Sequence, residues 1–145
     1  MEKLCVIVNP TAGKGSAKRA LPEIEACLES LNANYDLILT KTRGHAIQLA
    51  EEAGTNGYQT VVAVGGDGTV NEVINGLMKS DASGELTASL GVIPVGRGND
   101  FSFGMGIPQD IPNACRVLVS GKTRKIDVGW VRGGDYPDGR YFGNG

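Results

Sequence analysis

Few side chains in this sequence can carry redox, metal or covalent chemistry, and the shortage narrows its function. There is one histidine, His45, and there are three cysteines, Cys5, Cys27 and Cys115. The cysteines lie far apart in apolar runs, which predicts buried free thiols in a reducing compartment, not a disulfide or thiolate metal site. His45 has no histidine, cysteine or carboxylate at ligand spacing, so a structural or capping role at a helix start is expected. Long apolar runs are missing too. The longest, Leu4 to Val8, is too short to span a membrane, and Asn9-Pro10 ends it before any signal-peptide cleavage site. A soluble, cytoplasmic protein is expected. There is no basic excess: 14 Lys and Arg stand against 16 Asp and Glu, a net charge of -2. That predicts a mixed solvated surface and no nucleic-acid partner.

Several catalytic motifs are also absent. No Gly-x-Ser-x-Gly elbow occurs, and no Gly-x-Gly-x-x-Gly follows the first apolar run, which weakens hydrolase and dinucleotide-oxidoreductase readings. Gly13-Lys14-Gly15-Ser16 resembles a Walker A loop only superficially. No glycine lies five residues before Lys14, and Ser16 does not directly follow it.

What is abundant is glycine, 22 of 145 residues, about twice the usual ~7%. The glycines cluster at Gly13/Gly15, Gly65/Gly66/Gly68, Gly96/Gly98 and Gly104/Gly106, each after an apolar run. Glycine lets the backbone approach a ligand closely. Repeated glycine loops at strand ends suggest a phosphate-rich ligand.

The apolar pattern alternates between strand and helix. Strands are predicted at Leu4–Val8, Tyr35–Leu39, Val61–Val64 and Leu90–Val95, several of them continuous β-branched runs of the kind buried on both faces. Helical spacing appears at Lys18–Leu31, His45–Ala53, Thr69–Met78 and Pro112–Ser120. Pro22 belongs in a first turn, which places the first helix start near Ala20 or Leu21. Gly54 to Gly57 is expected to close the second helix. Ser80 to Thr87 is a polar loop. Residues 1–121 therefore form an α/β domain with a parallel sheet, in which ligands bind beyond the carboxyl ends of the strands. Past Gly121 the pattern changes. Ile126–Val131 and Arg140–Phe142 read as two strands around a Gly-, Asp- and Pro-rich stretch, with no crossover helix. Residues 122–145 are expected to be the first hairpin of a β-rich second domain, the rest of which lies outside this sequence.

The third strand ends in Gly65-Gly66-Asp67-Gly68-Thr69. Its glycines can turn N–H groups toward phosphate oxygens, and the helix that follows adds partial positive charge. Thr69 can cap that helix or donate to a phosphate. Asp67 beside phosphates is unfavourable unless it works, by holding Mg²⁺ through water or by taking a proton from an attacking hydroxyl. The plainer alternative is a tight turn with Asp67 on local amides. The first loop, Asn9 to Ser16, offers amides and Lys14 to an anion. The fourth, Pro94 to Phe101, offers Arg97 for a phosphate, with Asn99 and Asp100 able to cap a helix.

Together these motifs resemble the diacylglycerol kinase catalytic-domain family, which includes bacterial lipid kinases and the sphingosine and ceramide kinases. The resemblance rests on Asn9-Pro10-x-x-Gly13, Thr40 with His45-Ala46, Gly65-Gly66-Asp67-Gly68-Thr69-Val70-Asn71-Glu72, Pro94-x-Gly96-x-Gly98-Asn99-Asp100-Phe101, and Lys125-Ile126-Asp127-Val128-Gly129. It implies a three-layer nucleotide-binding domain like that of NAD kinases and phosphofructokinases, then a β-sandwich, with ATP and Mg²⁺ used in the cleft between them. It implies ATP contacts from Asn9, Pro10, Thr11, Ala12, Gly13 and Thr40, and from Gly65, Gly66, Asp67, Gly68, Thr69, Val70 and Asn71. It makes Asp67 the candidate catalytic base, with Asp100 assisting through Mg²⁺ or the loop. The implied partner is a lipid alcohol such as diacylglycerol, met by transient contact with a membrane surface. Further metal and catalytic carboxylates are implied in the second domain, so this chain alone is expected to be inactive. Apolar surface meant for that domain could also drive homo-oligomer formation. An NAD kinase-like enzyme and a non-catalytic nucleotide-binding module are the alternatives.

One position departs from the family, which usually has threonine where Arg97 stands. Arg97→Thr is expected to preserve phosphotransfer. A loss above about tenfold in a kinase assay, ~1.4 kcal/mol, would show that the arginine has its own role.

Overall fold

The computed structural model describes residues 3–80, 88–96, 99–123, 125–126 and 128–142. Its first strands are β1 (Lys3–Val8), β2 (Asn34–Leu39), β3 (Thr60–Gly65) and β4 (Ser89–Pro94). They form one parallel sheet in the order β2-β1-β3-β4. Helices α1 (Ala12–Ser30), α2 (His45–Thr55) and α3 (Asp67–Ser80) join them, followed by α4 (Asp100–Gly104) and α5 (Ile111–Ser120). The antiparallel pair β5 (Gly129–Gly133) and β6 (Tyr136–Phe142) completes the described elements. The expected α/β class with a parallel sheet is what the chain adopts.

Strand alternation explains the continuous apolar runs. Cys5, Ile7, Val61, Ala63 and Val92 face α2 and α3, while Leu4, Val6, Val8, Val62, Val64 and Ile93 face the opposite layer with α1 and α5. Each of the Val, Leu and Ile side chains among them contributes roughly 1.5–3 kcal/mol by leaving water. All three cysteines are free; burial pushes the thiols of Cys5 and Cys115 up to about 11. Among the described residues no helix is long and apolar enough to cross a membrane.

Several expected boundaries move for physical reasons. After a left-handed stretch at Gly13, Lys14 and Gly15, α1 is regularly helical from Ser16, well before Ala20. Pro22 thus sits inside the helix, not in its first turn. It is tolerated because Pro22 and Lys18 both face solvent, where water can satisfy the carbonyl that the ring leaves unpaired. The buried Ala17, Ile24 and Leu28 hold the helix in place. α2 runs through Gly54 to Thr55. Gly54 does not end the helix; it lets Ser80 approach, since a Cβ there would lie 2.2 Å from Ser80 Oγ. α3 begins at Asp67, so Thr69 is inside it and does not cap it. Asp110 caps α5 by accepting from Asn113 N at 3.0 Å. The predicted strand from Ile126 begins only at Gly129, because Ile126 and Val128 pack instead against the core on the α2/α3 side. The hairpin turn is also tighter than expected: only Gly134 and Asp135 separate β5 from β6, and Gly134 has φ 55°. The expected polar loop at 81–87 lies outside the described residues.

The tightest helix contact is between α2 and α3, where Ala46, Ala50 and Ala53 are buried. A Cβ on Gly76 would lie 2.2 Å from Ile47 O and 2.6 Å from Ala50 Cβ. Gly76→Ala should therefore destabilise by about 1–3 kcal/mol, because overpacking outweighs the ~1 kcal/mol gain in helix propensity. Urea denaturation checks this against Gly104→Ala, where no atom lies within 4 Å of the added methyl; equal midpoints for the two variants would contradict it.

Candidate functional site

The parallel strands deliver their loops to one end of the sheet. Thr40 N donates to Val8 O at 2.8 Å and Asn9 N to Val64 O at 3.2 Å, so the loops after β1, β2 and β3 stay side by side. They surround a cleft of about 550 Å³. Asn9, Pro10, Thr11, Ala12 and Gly13 line it from the first loop, Thr40 from the second, and Gly66, Asp67, Gly68 and Thr69 from the third.

Asn9 organises the first loop. Its Oδ1 accepts from Thr11 N at 3.2 Å and Thr11 Oγ1 at 2.8 Å, while its Nδ2 reaches Thr69 Oγ1 at 3.5 Å. Gly13 meets the fourth loop closely: a Cβ on it would lie 2.5 Å from Gly96 Cα, and its φ of 61° already disfavours side chains. Gly65 has a comparable reason, since a Cβ would lie 2.5 Å from Thr69 Oγ1. Gly68 has no atom near its missing Cβ.

Three residues expected at the cleft face elsewhere. Gly65 lies beneath Thr69, Val70 is buried in the core, and Asn71 donates to Tyr141 O at 3.0 Å. None of them is among the lining residues. Arg97 lies outside the described residues, as do Gly98 and Asp127. Lys14 does not line the cleft either.

Lys41, Thr42, Arg43, Ala46 and Glu72 also line the cleft, unforeseen from the sequence. The available signal was position: Lys41 and Arg43 sit at the carboxyl end of a strand paired directly with β1. His45 fixes that loop, its Nδ1 accepting from Lys41 N at 3.0 Å.

Asp67 has an unexpected partner. Its Oδ2 accepts from Asp100 N and its Oδ1 from Phe101 N, both at 3.0 Å. A side chain in the first turn of α3 thus caps α4, thirty-odd residues away in sequence. Asn99 holds the N-cap position of α4 without capping it. Its Nδ2 donates to Gly96 O at 3.0 Å, and its Oδ1 is buried with no hydrogen-bond partner among the described residues. The amides were not local, as the plain turn reading assumed. They belong to the fourth loop, so Asp67 ties the third loop to the fourth.

Further along α3, Asn71 and Asn75 hold β6. Tyr141 N donates to Asn75 Oδ1 at 2.7 Å, Asn75 Nδ2 to Tyr141 O at 2.9 Å, and Arg140 Nε to Asn71 Oδ1 at 2.9 Å.

Fold and cleft together define an α/β domain with a polar, amide-rich site beyond its parallel strands. The model of the diacylglycerol kinase catalytic domain matches residues 3–131, and the chain belongs to that family. It is 38% identical to the diacylglycerol kinase of Bacillus subtilis (strain 168) over 134 residues, 92% of this chain and 43% of that one. It is 39% identical to the diacylglycerol kinase of Staphylococcus aureus (strain bovine RF122 / ET3-1), covering 96% of this chain and 41% of that one. A solved structure of a putative diacylglycerol kinase from Bacillus anthracis str. Sterne superposes with a TM-score of 0.75 at 35% identity, over 88% of this chain and 44% of that one. The chain spans well under half the length of these relatives.

The cap formed by Asp67 can be tested directly. Asp67→Ala should speed hydrogen exchange at the Asp100 and Phe101 amides by about fivefold or more, as lost caps cost ~1 kcal/mol or above. Unchanged exchange there would mean the bonds contribute nothing in solution.

Proposed function

We propose that the chain is the nucleotide-binding part of an ATP-dependent lipid kinase that transfers the γ-phosphate of ATP to a lipid hydroxyl, diacylglycerol or a related alcohol. The observation that carries this reading is Asp67, placed at the cleft by two amides in a chain of the diacylglycerol kinase family. Phosphoryl transfer depends mainly on positioning and charge neutralisation. The cleft suits that chemistry: it offers the start of α3 and the cations of Lys41 and Arg43, with few reactive side chains.

Each Asp67 oxygen accepts one recorded hydrogen bond and keeps acceptor capacity beyond it. The carboxylate is held in place yet remains able to take a proton from an attacking hydroxyl. Among the described residues no three His, Cys, Asp or Glu side chains converge as a metal cage. Mg²⁺ would accordingly enter on the nucleotide phosphates, its ordinary mode, with at most a carboxylate or two from the protein. The lipid acceptor brings transient contact with a membrane surface.

In the full-length protein, Asp67→Asn should lower kcat by more than about a hundredfold while ATP affinity stays within about fivefold. The check is ATP consumption with diacylglycerol and, separately, with NAD. Turnover with NAD alone would refute the lipid-kinase reading, and full activity of Asp67→Asn would remove Asp67 as base.

A further inference from the structure

Asn75 is among the few buried polar side chains, 4% exposed, in a helix otherwise packed with aliphatic groups. A buried carboxamide is costly unless fully bonded. Here its oxygen accepts from Tyr141 N at 2.7 Å, and its nitrogen donates to Tyr141 O at 2.9 Å and to Asn71 O at 2.8 Å. Tyr141 is registered opposite Trp130 of β5, yet its N–H and C=O both turn to α3. That is the alternation of an antiparallel pair, in which every second residue directs its backbone groups outward. Toward Tyr141 the carboxamide presents one donor and one acceptor, as a peptide does, and its second N–H goes to Asn71 O. Asn75 therefore takes the place of a neighbouring strand on the outer edge of β6. The grip is on backbone, which leaves the Tyr141 ring free to stack edge-on against Trp130 with centroids 4.5 Å apart.

Position gives the grip a consequence. Asp67, Asn71 and Asn75 succeed one another at four-residue intervals, so they share one face of α3. The cleft is walled by the loops after β1 and β2 and by the start of α3, and no hairpin residue lines it. Asp67 thus stands at the cleft end of the face whose next two turns hold the hairpin. If the cleft holds nucleotide, the hydroxyl that Asp67 deprotonates must come from outside it, and the hairpin bounds that approach.

We propose that Asn75, assisted by Asn71, is a positioning residue for the acceptor: by gripping the Tyr141 backbone it sets β6 as the wall beside which the acceptor reaches Asp67. This role rests on the lipid-kinase reading above. It is separable from nucleotide binding because the cleft is lined by the loops after β1 and β2 and by the start of α3, and by no residue of the hairpin.

The test uses the full-length protein with dioctanoylglycerol in mixed micelles as acceptor. Asn75→Asp keeps the shape and the acceptor for Tyr141 N–H, but sets a carboxylate oxygen against the carbonyls of Tyr141 and Asn71. The KM for dioctanoylglycerol should rise about fivefold or more while the KM for ATP stays within about twofold. Equal rises in both, or a fall in kcat with both KM values unchanged, would overturn the assignment. The unmodified protein supplies a second measurement that does not depend on the variant folding. Dioctanoylglycerol should slow amide exchange at Tyr141 more than a non-hydrolysable ATP analogue does, because coupling is reciprocal. Slowing by the nucleotide alone overturns it. Absence of lipid-dependent turnover in the unmodified protein removes the kinase reading and this role together; intact turnover with an acceptor KM indifferent to Asn75→Asp removes the role alone.

Discussion

A carboxylate held by two backbone amides joins the halves of the candidate site. Asp67 begins α3 and accepts from the first amides of α4. α4 has only five residues, too few to persist through its own hydrogen bonds. Its own N-cap residue, Asn99, is turned toward Gly96 instead. The cap from Asp67, with the burial of Phe101, therefore helps to hold α4 in place. The close approach of Gly13 to Gly96 is a second tie between the same regions. Two short contacts, one polar and one steric, thus fix the fourth loop to the first and third.

α3 transmits that geometry outward. Its face toward the sheet buries Val70, Val73, Ile74 and Leu77. Its start borders the cleft with Asp67, Gly68, Thr69 and Glu72. Further along, the helix holds the hairpin by Asn71 and Asn75. Its tight contact with α2 at Gly76 restricts sliding along the axis, since a bare glycine surface fits directly against Ile47 O. One rigid element consequently meets the core, the cleft and the hairpin at once.

Much of this was legible because its physics is local. The β-branched runs specified four strands, and both-face burial specified a parallel sheet with helices on either side. Three of the glycine clusters marked strand ends, where the loops after β1 and β3 meet in the cleft, whereas Gly104 and Gly106 lie at the end of α4. Other features depended on partners distant in sequence. Pro22 reads as a helix start by local rules, but packing of Ala17, Ile24 and Leu28 extends the helix past it. Asn71 follows the glycine loop and was grouped with it. One turn along from Asp67, its side chain bonds the backbone of β6 and does not line the cleft. Lys41 and Arg43 looked like an ordinary polar loop until the β1–β2 pairing set that loop beside Asn9 and Asp67.

The sequence by itself determined the layered α/β fold, the glycine loops at the strand ends and the family likeness. Each follows from residue type and from spacings of two or about four along the chain. Only the tertiary structure decided what those loops hold. Asp67 finds its amide partners more than thirty residues on, and Asn75 finds its strand more than sixty residues on. Such pairings follow from how the packed sheet and helices orient their ends. No local pattern in the chain encodes that orientation.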